Sequence, residues 1–168
     1  MRCLIRTIIL LSLVLGATYA FAQDRSSDKS ANPCDMRYYD SVNGENLEKA
    51  VGSLRERIKK NPSLTECRIR LGYLLLKKGS NEEALNEFDE VLRLMPTSHP
   101  AKTGKGIAYA HKGDLKSAEA AFKEALILNP DPVKAHYELG LVYERMGQLQ
   151  KAIDEYREGI SVYEKGRK

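Results

Sequence analysis

The sequence predicts an all-α fold, a solenoid of antiparallel helix pairs. Three observations predict it. First, a set of columns returns every 34 residues: Gly72, Gly106 and Gly140; Ala84, Ala118 and Ala152; Phe88, Phe122 and Tyr156. Second, the apolar residues between them recur at three- and four-residue spacing, as Leu71, Leu74 and Leu75 do, which puts them on one helical face. Third, the punctuation keeps the same step, with Gly79, Gly113 and Gly147 in one column and Pro96 and Pro130 in another. A period of this size is the signature of stacked helical hairpins, each touching mainly its neighbours. Such arrays present surface to other molecules more often than they catalyse.

The elements follow in chain order. Residues 1–22 read as a secretory signal peptide: Arg2 and Arg6, an apolar run from Ile8 to Leu15 interrupted by Ser12, and a small-x-small cleavage site at Ala20-Phe21-Ala22. The run is short for a membrane span, and an uncleaved anchor is the rival reading. No cysteine follows the cleavage site, so a lipoprotein anchor is not indicated. The expected location is the periplasm or beyond it, with no membrane span after cleavage. Residues 23–33 are polar and aperiodic and read as a disordered linker. Residues 34–168 form the solenoid.

A degenerate repeat is expected over 34–64. Shifting the columns back by 34 lands on Ala50, Leu54 and Pro62, and Leu47, Ala50, Val51, Leu54 and Ile58 make an apolar stripe. Residues 45–60 are then its second helix, and Cys34 to Val42 a short first one ending at Asn43-Gly44. Repeat one covers 65–98: Gly79 after Lys77-Lys78 is a helix stop, and Ser80 with Glu83 reads as a capping box. Repeat two covers 99–132, with Gly113 as stop and Asp114 as N-cap; repeat three covers 133–166, opened by Asp131-Pro132. Glycine inside a helix costs about 1 kcal/mol relative to alanine. Three such glycines in one column predict a close approach, with Ala84, Ala118 and Ala152 facing them and the aromatics filling the space.

These residues resemble the tetratricopeptide repeat. Repeat two carries Gly106, Tyr109, Ala118, Phe122, Ala125 and Pro130; repeat one Leu71, Gly72, Ala84, Phe88 and Pro96; repeat three Leu139, Gly140, Tyr143 and Ala152, with Tyr156 for Phe. The pattern's large-residue column departs, holding Arg68, Lys102 and His136. The resemblance implies a right-handed solenoid whose first helices line a concave, partner-binding side. Carried onto this chain, its contacting columns are Glu66, Ile69, Tyr73, Leu76 and Lys77, then Pro100, Thr103, Ile107, Ala110 and His111, then Lys134, Tyr137, Leu141, Glu144 and Arg145. The strip is apolar at its centre and basic at one rim, where Lys77, His111 and Arg145 align. That points to a peptide or protein partner with apolar anchors and some acidic character. Two plainer readings stand beside it: the strip packs on the chain's own N-terminal segment, or the basic column serves helix C-termini. The acidic-tail clamp of some members needs Lys and Asn where this chain has Ile69 and Tyr73.

The mature chain keeps Cys34 and Cys67, which fall at equivalent places in adjacent repeats. Either they are bridged, as an exported pair would be, or Cys67 is simply the small buried residue that Ala101 and Ala135 are later. The full chain has net charge +4, and losing Arg2 and Arg6 leaves about +2, too little for a nucleic-acid face. His99, His111 and His136 form no metal-ligand pattern, and Thr103-Gly104-Lys105-Gly106 lacks the strand and spacing of a phosphate loop. The reading is non-enzymatic, with no cofactor and no metal. Ile160, Val162 and Tyr163 lie where a solenoid end would be uncovered, and a homo-dimer through that end is the alternative function.

Overall fold

The computed structural model describes Cys34 and residues 44–129 and 132–166. Among these, every regular element is an α-helix: α1 (Glu45–Lys60), α2 (Thr65–Lys78), α3 (Asn81–Leu94), α4 (His99–Lys112), α5 (Leu115–Leu128), α6 (Val133–Arg145) and α7 (Leu149–Gly166). The predicted signal peptide, linker and first helix of the degenerate repeat lie outside the described residues, Cys34 excepted. The stripe read on residues 45–60 is α1, and it buries Val51, Leu54 and Ile58.

Helices α2 and α3, α4 and α5, and α6 and α7 pair as three hairpins, each packed on the next, and the first helices touch as well, α2 on α4 and α4 on α6. The turns within the hairpins are built alike. Gly79, Gly113 and Gly147 have φ of 83°, 83° and 73°, the left-handed region that glycine enters without a Cβ clash. At each, the glycine N–H and the next N–H donate back into the finished helix: Gly79 to Leu76 at 3.0 Å and Ser80 to Leu75 at 2.9 Å, with the same pair at Gly113 and at Gly147. The chain reverses there, and the second helix is laid against the first.

The helix starts are less uniform than the sequence predicts. Asp114 caps α5 as expected, its carboxylate accepting from the Ser117 N–H at 3.1 Å, and the Ser117 side chain and N–H together hold its carboxyl below the usual range. Ser80 precedes α3 in the capping position, yet its side chain makes no cap bond. The capping box is therefore not formed. Glu83 reaches across the interface to Arg55 of α1 instead. At α6 the capping position is Pro132, and Asp131 lies outside the described residues.

The repeated glycines make room for rings. A Cβ on Gly72 would lie 2.6 Å from the Phe88 ring, one on Gly106 2.6 Å from Phe122, and one on Gly140 2.3 Å from Tyr156. Each ring lies over the glycine of its own hairpin's first helix. Phe88 has a second such neighbour in the following hairpin, since a Cβ on Gly104 would come within 2.3 Å of it. Phe88 and Phe122 are fully buried, as are Ala84 and Ala118. The glycine-rich stretch of α4 thus serves packing.

The large-residue column is occupied by polar pairs. Arg68 bonds Glu87 at 2.7 Å and His136 bonds Glu155 at 2.8 Å, each from the first helix to the second of one hairpin, and Lys102 pairs with Glu124 in the middle hairpin. Arg68 and Glu87 are largely buried, so their mutual satisfaction replaces the packing a large apolar side chain would give.

Cys34 and Cys67 are joined in a disulfide across a sequence separation of 33, with Cα atoms 4.7 Å apart. The bridged reading is the one the structure carries, and Cys67 is at the same time as buried as Ala101 and Ala135 in its column.

Two measurements test this account. Reducing the disulfide is expected to lower unfolding stability by about 3–4 kcal/mol for a loop of this length, read as a shift in the denaturant midpoint against the unreduced protein. Gly106→Ala is expected to destabilise by about 1–3 kcal/mol despite alanine's higher helix propensity. Gly52→Ala, whose Cβ meets nothing within 4 Å in α1, should instead stabilise by about 0.5–1 kcal/mol.

Candidate partner-binding face

The strip carried by the first helices divides once the hairpins stack. Leu76, Thr103 and Ile107 are buried, at 6%, 4% and 8% exposure. They are not part of an exposed wall: the first helices lie against one another, and the strip crosses the seams between them. Ile69, Tyr73 and Leu141 are half-buried, and Lys77, His111 and Arg145 are exposed. Tyr137 is 55% exposed but faces the far end of the solenoid, where its ring centroid lies 5.9 Å from that of Tyr156.

What remains of the face is centred on Tyr73. Its hydroxyl donates to the Pro100 carbonyl at 3.0 Å, which ties α2 to the start of α4. The Lys134 ammonium of α6 sits 4.7 Å from the centre of its ring, a cation–π contact reaching the third hairpin. Burial, and then the charge of Glu138, push the Tyr73 phenol well above its usual range. Glu138, one turn along α6 from Lys134, is half-buried. Burial raises its carboxyl above the ordinary range, and the charges of Lys134 and His111 oppose that rise. Three successive hairpins therefore converge on one place that holds an aromatic ring, a cation and a partly desolvated carboxyl.

The basic rim is only partly free for a ligand. Arg145 donates to the Ala110 carbonyl at 2.6 Å, so it serves the C-terminal turn of α4, the preceding hairpin's first helix, as the plainer reading supposed. His111 Nδ1 lies 3.2 Å from the Asn81 side-chain oxygen. Lys77 is exposed.

Glu138 is the residue that sequence reasoning missed. Its column holds Arg70, Gly104 and Glu138, three unlike residues, so the period carries no signal there. The available hint was its four-residue spacing from Lys134.

A second surface lies at the far end of the third hairpin, where Val133, Tyr137, Tyr156, Gly159, Ile160 and Tyr163 line an apolar groove. Ile160 and Tyr163 are 59% and 55% exposed there, as the sequence predicts, whereas Val162 is half-buried. Among the described residues no three His, Cys, Asp or Glu side chains gather to hold a metal, and no helix is long and apolar enough to cross a membrane.

Glu138 gives the face a measurable pH signature. Its carboxyl is raised in the fold and ordinary in the unfolded chain. The cost of charging it is therefore absent below the ordinary glutamate value and grows as pH rises through the raised one. Relative to the parent, Glu138→Gln should gain thermal stability between about pH 4 and about pH 7. Equal midpoint differences at both ends would show that the carboxyl is not strained by burial.

No curated protein is significantly similar in sequence. Among solved structures, a crystal structure of MamA is 29% identical with a TM-score of 0.62, covering 70% of this chain and 68% of that one. MamA (41-end) from Desulfovibrio magneticus RS-1 is 23% identical with a TM-score of 0.64, covering 71% and 68%. A thermophilic TPR protein from Thermus thermophilus is 23% identical with a TM-score of 0.65, covering 70% and 66%, and these last two likenesses speak to the fold alone. The profile of the tetratricopeptide repeat matches residues 69–131 and 103–161, more than half of the sequence, and its glycine, alanine and aromatic columns are the ones that pack here; the chain belongs to the tetratricopeptide repeat family.

Proposed function

We propose that the protein is a non-enzymatic interaction scaffold of the cell envelope that holds an extended or helical segment of a partner protein against its first-helix face. A tetratricopeptide array is a protein–protein interaction scaffold by construction, since it offers long surface and few enclosed sites. The observation that carries the assignment to this face is the convergence on Tyr73, where the Pro100 carbonyl and the Lys134 ammonium meet one ring from two later hairpins. A partner lying there contacts several repeats at once.

The residues around that point define the partner's chemistry. Ile69, Tyr73 and Leu141 offer half-exposed apolar area for side-chain anchors. Lys77 and Lys134 offer cations at the edge, with the His111 imidazole beside them. Glu138 opposes them less than a solvated carboxylate would, because burial favours its neutral form. The fitting ligand is a segment with alternating apolar and acidic residues. Placement in the envelope is supported by the basic start, apolar run and small-residue site of residues 1–22, and by a disulfide, which persists in oxidising compartments.

Crosslinking of the tagged protein in its native cells tests both parts. The parent is expected to yield a discrete adduct that is lost when Lys77 and Leu141 are both changed to Glu, with the helical circular dichroism unchanged. The mature protein is expected in the envelope fraction with its N-terminus near Gln23. An adduct that survives the double change removes this face from the function, and a protein retained in the cytoplasm with Met1 intact removes the compartment.

A further inference from the structure

Helix α7 carries an apolar seam of its own. Leu149, Ile153, Tyr156, Ile160 and Tyr163 are spaced by four, three, four and three residues, the heptad step of helices that pack along each other's length. Four of the five are open: Leu149 is 61% exposed, Ile153 43%, Ile160 59% and Tyr163 55%. In the same columns of the earlier hairpins, Leu85, which matches Ile153, is 7% exposed, and Leu92 and Leu126, which match Ile160, are half-buried, because a further hairpin packs on α3 and on α5, whereas Met95, which matches Tyr163, stays 47% exposed. Among the described residues nothing takes that place on α7. The seam borders the groove between α6 and α7, so an incoming helix has Val133 and Tyr137 as well as α7 to lie against.

The charges beside the seam select what fits. Arg157 and Glu164 stand seven residues apart on the same flank, directly after Tyr156 and Tyr163. The other flank holds Ala152 and Gly159, which are buried in the hairpin. A helix running antiparallel along the seam, with Ile153 opposite Tyr163 and Tyr156 opposite Ile160, brings its own flank to Arg157 and Glu164. Side chains on a helix lean toward its N-terminus. In that register Arg157 of one helix and Glu164 of the other lean toward each other, and the two-fold axis makes the same pair a second time. The sequence that supplies both charges in this order is α7 itself.

We propose that the protein self-associates as a two-fold dimer through antiparallel packing of α7 on α7, with Arg157 of each protomer paired to Glu164 of the other. This contact is separate from the first-helix face and holds or fails without it. An isologous arrangement uses one patch on both partners and closes at two copies, so it covers the apolar end without building filaments.

Light scattering and sedimentation of the purified protein over a range of concentrations test it. The expected result is a dimer that dissociates on dilution. Ile160→Asp should leave a monomer at concentrations where the parent is dimeric. Arg157→Glu should weaken association at least tenfold, and Arg157→Glu combined with Glu164→Arg should restore it. Both charged residues are exposed, so helical content should not change. The Arg157 contact with Asp154 at 3.8 Å is lost in the single and the double variant alike, so restoration reports the inter-protomer pair. A protein that is monomeric at every concentration, as it would be if another segment or another protein covers the seam, overturns the proposal. So does a dimer indifferent to Ile160→Asp, or a double variant no tighter than the single one.

Discussion

The stack depends on an aromatic ring lying where a Cβ would otherwise be. Phe88, Phe122 and Tyr156 each press on a first-helix glycine of their own hairpin at a distance no side chain could share. The contact fixes how near the two helices of a hairpin lie and which of their faces meet. Phe88 does this twice, against Gly72 behind it and Gly104 ahead, and so sets the spacing of two hairpins. Burying a whole ring offsets the roughly 1 kcal/mol that each helical glycine costs. In the degenerate repeat Leu54 stands in the ring's column and is buried.

Around these apolar contacts, polar ones tie each hairpin to the next. Tyr73 to the Pro100 carbonyl, Arg145 to the Ala110 carbonyl and Tyr143 to Glu119 each cross from one hairpin to another. They add to acceptors that already have a partner: the Ala110 carbonyl also takes the Gly113 N–H, and the Glu119 carboxylate also pairs with Lys123. Within a hairpin, Arg68 with Glu87 and His136 with Glu155 put a hydrogen-bonded polar pair in the place of a large apolar residue. The disulfide anchors Cys34 to the first hairpin in the way a hydrophobic contact does elsewhere.

The two surfaces that emerge differ in physical kind. The first-helix face is mixed: a ring held by a cation and a carbonyl, a partly desolvated carboxyl, and flanking lysines. Such a surface discriminates by charge and by unpaired polar groups as much as by area. The end of α7 is apolar with one charge of each sign beside it, which favours a contact of fixed register. Both draw on α6, the first face through Lys134 and Glu138 and the groove through Val133 and Tyr137.

The sequence by itself determined the fold class, the hairpin count, the helix stops and the second helix of the degenerate repeat. Those features are local or periodic: Gly79, Gly113 and Gly147 turn the chain wherever they sit, and a 34-residue step survives any curvature. It also placed Cys34 beside Cys67, because equivalent positions in adjacent repeats are neighbours. Tertiary structure alone decided which members of the first-helix strip stay exposed. Leu76, Thr103 and Ile107 share a helical face with Tyr73 and Leu141, but the seam between stacked helices falls on them. It decided that Glu83 pairs with Arg55 rather than capping its own helix, that Arg145 serves a neighbouring helix end, and that Glu138 is half-buried beside Tyr73. Each of those outcomes depends on the angle between hairpins, which is set by ring-on-glycine packing in three dimensions and leaves no period in the chain.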